Sequence, residues 1–196
     1  MTLLIRVLTM SSLLVCAPLW AQQSPTEAID STVSEVLNAL GQTQWTELQK
    51  RDRVFEIVGE RFDFDTMARS ALAIHWRKAT NPERSRFSTL FAEVLSHTYW
   101  SRIKGHGDNS VELVEERLTA SGKAVVKTLI VTDTRAIPVD YRMTNANGNW
   151  RVYDVMIEGV SLVRNYRSDY QQVVSQYGIS GLLERMQEKM DSLRTQ

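Results

Sequence analysis

The stretch IPVDYRMTNANGNWRVYDVMI, residues 137–157, alternates apolar and polar positions on both sides of a polar break at residues 145–148. A two-residue period puts successive side chains on opposite faces of a strand. Residues 137–143 and 149–157 therefore read as strands. Residues 124–132 and 111–118 carry the same period, with breaks at Ser121-Gly122 and at residues 132–135. Links this short join neighbouring strands in antiparallel order, so the four form a meander. Pro138 cannot donate to a ladder, which predicts an edge or a bulge at that position.

Outward from the sheet the period becomes 3.6. Thr80-Asn81-Pro82-Glu83 is a capping box with proline in the first turn. The stripe Phe87, Leu90, Phe91, Val94, Leu95, Thr98, Tyr99, Ile103 follows, and Gly105 and Gly107 end it. Further back, Phe62-Asp63-Phe64-Asp65 interrupts the pattern. Asp65 is read as the cap of a helix through Met67, Ala71, Leu72 and His75. Two more helices precede it. Ser24-Pro25-Thr26-Glu27 opens one, with Ile29, Val33, Val36, Leu37 and Leu40 on one face. The other covers residues 46–61, with Val54, Phe55, Val58 and Phe62 inward. After the sheet, helix returns beyond Gly159, and Gly178 and Ser180-Gly181 separate a last amphipathic helix. The fold class is α+β: a helical subdomain on a four-stranded antiparallel sheet, with C-terminal helices packed across it.

The 196 residues suffice for one domain and a short leader. With 23 Lys and Arg against 23 Asp and Glu, no basic excess points to nucleic acid. Arg6 is the only charge before Glu27, and the apolar run at residues 7–19 falls short of the ~20 residues that span a bilayer. With Leu19-Trp20-Ala21 behind it, this reads as a secretory signal peptide over residues 1–21, with the domain at 22–196. Cys16 then leaves with the leader, and the mature chain holds no cysteine for a disulfide.

Local signatures of chemistry are missing: no Gly-x-Ser-x-Gly elbow, no His-Glu-x-x-His, no phosphate loop and no dinucleotide fingerprint. His75, His97 and His106 have no second histidine or cysteine at metal-ligand spacing. Asp63 and Asp65 admit two readings, a paired-carboxylate site or a helix cap flanked by core phenylalanines. The sequence thus calls for no catalytic residue, metal or cofactor.

Two segments carry a resemblance. One runs from Phe62-Asp63-Phe64-Asp65-Thr66-Met67-Ala68-Arg69 through residues 73–80 to Pro82-Glu83-Arg84-Ser85-Arg86-Phe87. The other is Gly148-Asn149-Trp150-Arg151-Val152-Tyr153-Asp154-Val155 followed by Glu158-Gly159-Val160-Ser161-Leu162-Val163 and Asn165-Tyr166-Arg167. In this order, behind a leader, they resemble the MlaC (toluene-tolerance) family of periplasmic phospholipid-binding proteins. The resemblance implies a curved, nuclear-transport-factor-like sheet on a helical subdomain, with an apolar cavity between them for acyl chains and the head group near its mouth. It implies export to the periplasm and lipid exchange between an outer-membrane lipoprotein–porin complex and an inner-membrane ABC transporter complex, which maintains outer-membrane lipid asymmetry. A related branch accompanies hopanoid synthesis, so a hopanoid or another hydrophobic ligand stays open, as does an enzyme on the same cone-shaped fold.

The candidate lipid-binding residues follow. From the helices come Phe64, Met67, Leu72, Phe87, Phe91, Leu95, Tyr99 and Ile103. From the strands come Val126, Leu129, Val139, Tyr141, Met143 and Trp150. Val160, Leu162 and Tyr166 lie at the sheet-to-helix junction; the resemblance places the first two at the cavity and matches Tyr99 to an aromatic near it. Each has ordinary core packing as its alternative role. Arg77, Lys78, Arg84 and Arg86 cluster near a helix junction and are candidates for docking partner complexes, against a plain solvated surface.

Overall fold

The structure is a computed structural model that describes residues 23–104, 107, 110–119 and 121–194. The leader with Cys16, and His106, lie outside the described residues. In chain order come α1 (Pro25–Gly41), α2 (Glu47–Arg61), α3 (Phe64–Leu72), a 3₁₀ turn (Ala73–Arg77), α4 (Asn81–Ile103), β1 (Ser110–Thr119), β2 (Lys123–Val131), β3 (Ala136–Ala146), β4 (Asn149–Ile157), β5 (Val160–Ser161) and α5 (Leu162–Arg194). Among the described residues no helix is long and apolar enough to cross a membrane.

Local chemistry sets the helix starts. Ser24 with Glu27, Thr46 with Gln49 and Thr80 with Glu83 each form a reciprocal capping box, which satisfies donors that a helix start leaves free. The third cap differs from the expectation: Asp63, not Asp65, starts α3. Its carboxylate accepts from the Thr66 backbone N–H at 3.0 Å and from the Thr66 hydroxyl at 2.7 Å. Asp65 falls in the first turn instead, where a carboxylate favours the positive end of the helix.

That helix stops at Leu72, and His75 falls in the 3₁₀ turn rather than in α3. Ala73 ends the helix with φ 51° and ψ −121°, a conformation that costs a residue with a Cβ. Ala73→Gly should raise unfolding stability by about 1 kcal/mol in urea titration, because glycine takes this conformation without a steric penalty.

The strands pair in the order β1-β2-β3-β4-β5, all antiparallel. Five strands replace the expected four because Glu158 and Gly159, both at positive φ, reverse the chain and let Val160–Ser161 pair back onto β4. Pro138 corrects a second expectation. It lies inside β3, an inner strand, paired with Leu129. Its carbonyl accepts from the Glu158 N–H at 2.9 Å, just past the end of the β3–β4 ladder, which begins at Val139. On that side Pro138 has no strand residue to donate to, so the missing N–H costs no ladder bond.

The part of β4 not covered by β5 is closed by the α2–α3 junction. Phe62 bridges Val152, and the Asp63 N–H donates to the Val152 carbonyl at 2.8 Å. The Arg151 guanidinium donates to the Phe62 carbonyl at 2.6 Å. A strand edge that would present free backbone groups is thereby paired.

The expected pair of C-terminal helices meets at one residue, Gly178, with φ 69° and ψ −177°. That conformation belongs almost only to glycine. Three residues on, a Cβ at Gly181 would come within 2.5 Å of the Tyr177 Cβ, so the bend also needs a bare backbone there.

Apolar residues gather in three clusters. One joins α3, α4 and α5 around Phe87, Phe91, Leu182, Met186 and Met190. A second sets α1 on the sheet through Ala28, Ile29, Val126, Met143 and Val152. The third joins α1 and α2 to Trp100 through Leu40, Val54 and Ile57. The clusters do not close on one another, and the space between them is the site.

Candidate functional site: an apolar cavity between helices and sheet

A cavity of about 280 Å³ lies where the three clusters meet. This is just below the roughly 300–1,000 Å³ typical of ligand pockets. One wall is the α1 stripe Ile29, Val33, Val36, Leu37 and Leu40, with Thr32 between them. These positions recur at three and four residues, so one helix face supplies the whole wall. Val54, Phe55 and Val58 of α2, then Phe62, Phe64 and Met67, continue it. Across the space stand Leu95, Ser96, Tyr99, Trp100 and Ile103 of α4, with Leu162 at the start of α5. The floor is the inner face of the sheet: Val111, Ile130, Val139, Tyr141, Val155 and Ile157.

Among the described residues no charged side chain lines this cavity. Its polar groups are few and mostly engaged. The Thr32 hydroxyl donates to the Ala28 carbonyl at 2.8 Å and accepts from Arg61 Nε at 2.9 Å. Burial pushes the Tyr141 phenol up to about 12, opposed by its hydrogen bond with Thr128. Burial likewise raises the phenol of Tyr99. A neutral, weakly hydrated wall of this kind suits hydrocarbon and penalises any charge placed in it.

Polar staples hold the walls apart. Arg61 ends α2; its guanidinium donates to Thr32 on α1 and, at 2.8 Å, to the Trp150 carbonyl on β4. Burial lowers the pKa of this guanidinium, with Glu35 and Glu60 acting against the shift. Behind the sheet-to-helix junction, the buried Asp154 carboxylate accepts from the Ser161 hydroxyl at 2.7 Å and the Val163 N–H at 3.2 Å, and pairs with Arg142 at 3.5 Å. Ser161 Oγ in turn accepts from the Arg164 N–H. The Glu-Gly-Val-Ser segment thus makes a tight turn and caps α5, which fixes Leu162 at the cavity.

Phe64, Met67, Leu95, Tyr99, Ile103, Val139, Tyr141 and Leu162 are the expected lipid-binding residues that the structure brings together in this lining. The others lie elsewhere. Leu72, Phe87 and Phe91 are fully buried in the helical cluster, and Tyr166 packs against that cluster, edge-on to Phe91. Val126, Met143 and Trp150 fill the contact between α1 and the sheet. Leu129 sits opposite Pro138, one position out of step with Thr128 and Ile130, so it faces away from the cavity. Val160 is 58% exposed; it pairs with Ile157 and stands outside the lining.

The α1 and α2 residues, with Ser96, Trp100, Val111, Ile130, Val155 and Ile157, were not among the sequence candidates. For the α1 residues the sequence carries a signal, the continuous apolar stripe Ile29, Val33, Val36, Leu37 and Leu40.

The basic candidates divide. Arg84 spends its donors on the Trp76 and Arg77 carbonyls and on Asn81, and its guanidinium lies 5.8 Å from the Trp76 ring centre. It is a staple of the 3₁₀ turn. Arg77 and Lys78 are exposed on that turn, with Arg77 beside Arg69 and Trp76 in a shallow groove. Arg86 is exposed on α4 in a different cleft, near Glu93 and Arg194. Of the two remaining histidines, His75 lies in the 3₁₀ turn and His97 packs edge-on against Phe55.

The family model described as MlaC protein matches residues 30–188. The toluene tolerance protein ttg2D of Pseudomonas putida is 24% identical over 164 residues, 81% of this chain and 76% of that protein. The intermembrane phospholipid transport system binding protein MlaC of Haemophilus influenzae is 20% identical over 122 residues, 60% of this chain and 57% of that protein. The fold matches that of a phospholipid-binding protein from Ralstonia solanacearum, solved in complex with a phospholipid. The TM-score is 0.77 at 23% identity, and the match covers 85% of this chain and 97% of that one. With the sheet, the capping segment and every residue of the cavity lining but Ile29 inside the matched span, the chain belongs to the MlaC family.

Proposed function

We propose that this protein is a periplasmic lipid carrier that holds phospholipid acyl chains in the cavity and moves the lipid between the two membranes. The observation that carries this reading is that, among the described residues, the 24 that line the cavity from helices and sheet include no charged one. Moving one methylene from an apolar phase into water costs about 0.8 kcal/mol, so two long tails impose a barrier on the order of 20 kcal/mol or more. A carrier removes that barrier only if its interior is hydrocarbon-like and stays dry. The family membership and the phospholipid bound by the Ralstonia solanacearum relative support the same reading. In it, residues 1–21 are a leader removed on export. An outer-membrane lipoprotein–porin complex and an inner-membrane ABC transporter complex exchange lipid with the carrier, and the exposed Arg77, Lys78 and Arg86 are candidates to dock them. No reaction is assigned to the cavity, and Asp63, the carboxylate considered for one, is spent on capping α3.

The protein purified from the periplasm and extracted with organic solvent should release close to one phospholipid per chain. A hopanoid in its place would change the ligand and keep the carrier. Folded protein that carries no lipid, and takes none up from vesicles, contradicts the reading.

A further inference from the structure

We propose that Met67 and Leu95 form the closed end of the cavity and set the length of acyl chain that the protein carries. This rests on the carrier reading and adds a chain-length selectivity to it.

Among the described residues, two are buried in the helical cluster and also line the cavity: Met67 on α3 and Leu95 on α4. They are 1% and 4% exposed. The hollow lies on one side of them and solid protein on the other. Leu95 follows Phe91 by one helical turn, so the two share a face of α4. Phe91 stacks 5.9 Å from Phe87, and Tyr170 meets both rings edge-on, with 5.5 Å to Phe87 and 6.3 Å to Phe91 between ring centres. A single layer of side chains therefore separates the hollow from a closed aromatic core.

A stop that measures length must be rigid. Close-packed side chains with protein behind them yield little. The α1 wall and the β1 edge of the sheet have water behind them: Asp30, Ser34 and Glu35 on α1, and Glu112 and Arg117 on β1, are exposed. A helix or an edge strand backed by solvent can shift outward for a thicker ligand. Met67 and Leu95 cannot retreat without displacing Phe91 and α5.

A chain that enters the hollow runs until its methyl end meets this pair. Each methylene beyond that point stays in water and forfeits a factor of about four in binding. Shortening the pair reverses the limit. A buried leucine cut to alanine leaves a void on the order of 100 Å³, against about 280 Å³ for the cavity as it stands. At Leu95 that void joins the hollow, and the ligand's own hydrocarbon fills it. A void opened at Phe91 stays sealed behind Leu95.

The test is competitive loading of the full chain from vesicles of equal dimyristoyl- and dioleoylphosphatidylglycerol, read by native mass spectrometry. The readout is the ratio of long to short lipid bound, relative to wild type, so that the vesicles' own hold on each lipid cancels. Leu95→Ala should raise this ratio about tenfold and Met67→Ala several-fold, as two or so further methylenes are taken in. Leu95→Phe should lower it several-fold, because the ring has only the hollow to enter. Phe91→Ala should stay within about twofold of wild type. Folded Leu95→Ala and Leu95→Phe proteins with the wild-type ratio overturn the proposal and leave the carrier standing. A rise in Phe91→Ala equal to that in Leu95→Ala also overturns it. If Leu95→Ala does not fold, Met67→Ala and Leu95→Phe decide by the same ratio. A wild type that loads neither lipid sinks the carrier reading, and the chain-length stop with it.

Discussion

Ile157→Glu should reduce bound lipid by more than about tenfold while the protein stays folded. Ile157 lines the cavity at the end of β4, where it is only half-buried. Among the described residues, a carboxylate there has no basic partner in the lining. In the empty protein it turns towards solvent at modest cost. Against an acyl chain it must either lose its water or hold water in the cavity, and either costs several kcal/mol. Val160→Glu is the matched control. Val160 pairs with Ile157 but is 58% exposed, so its carboxylate stays hydrated and lipid occupancy should change little. Lipid per folded chain, measured after extraction, decides between the two positions. Equal loss in both would mean that the mouth rather than the lining limits binding.

Phe91→Ala should cost about 3–5 kcal/mol of unfolding free energy and leave lipid per folded molecule unchanged. Phe91 is fully buried between α4 and α5, stacked 5.9 Å from Phe87 and edge-on to Tyr166 and Tyr170. Its removal opens a void in a closed aromatic cluster that cannot collapse without moving α5. The ring stands outside the cavity lining, so the loss is one of stability alone. Urea unfolding with parallel lipid quantification checks both halves. Loss of lipid at full stability would place Phe91 in the site.

Phe87 and Phe91 explain why the site was harder to read from sequence than the fold. Capping boxes and two-residue alternation are local, and the chain announces both: Thr80 with Glu83 opens α4, and the alternation through residues 137–157 gives β3 and β4. Cavity membership is not local. Helix α4 has 23 residues, about 35 Å of length, and its apolar stripe is continuous in sequence. Its first half meets α5 and closes into solid core, while its second half, from Leu95 to Ile103, faces the void. One periodicity serves both environments.

Leu129 differs for another reason. It lies three residues from Val126, and residues an odd number apart in a strand face opposite ways. The cap at Asp63 is not legible in sequence because the pairing of Phe62 with β4, just before α3, is a tertiary contact. The α1 and α2 wall was visible as amphipathic helix; only the assembled fold shows that its partner is empty space.

Nuclear Overhauser contacts between a protonated acyl chain and the labelled Ile, Leu and Val methyls of the deuterated, lipid-loaded protein would test the hydrocarbon-filled interior most directly. Contacts should appear at Val36, Ile130, Val139, Ile157 and Leu162, and be absent at Leu90, Leu182 and Leu183 in the helical cluster. Chain contacts confined to surface methyls, or none to the five cavity positions in a protein shown to carry lipid, would contradict the account.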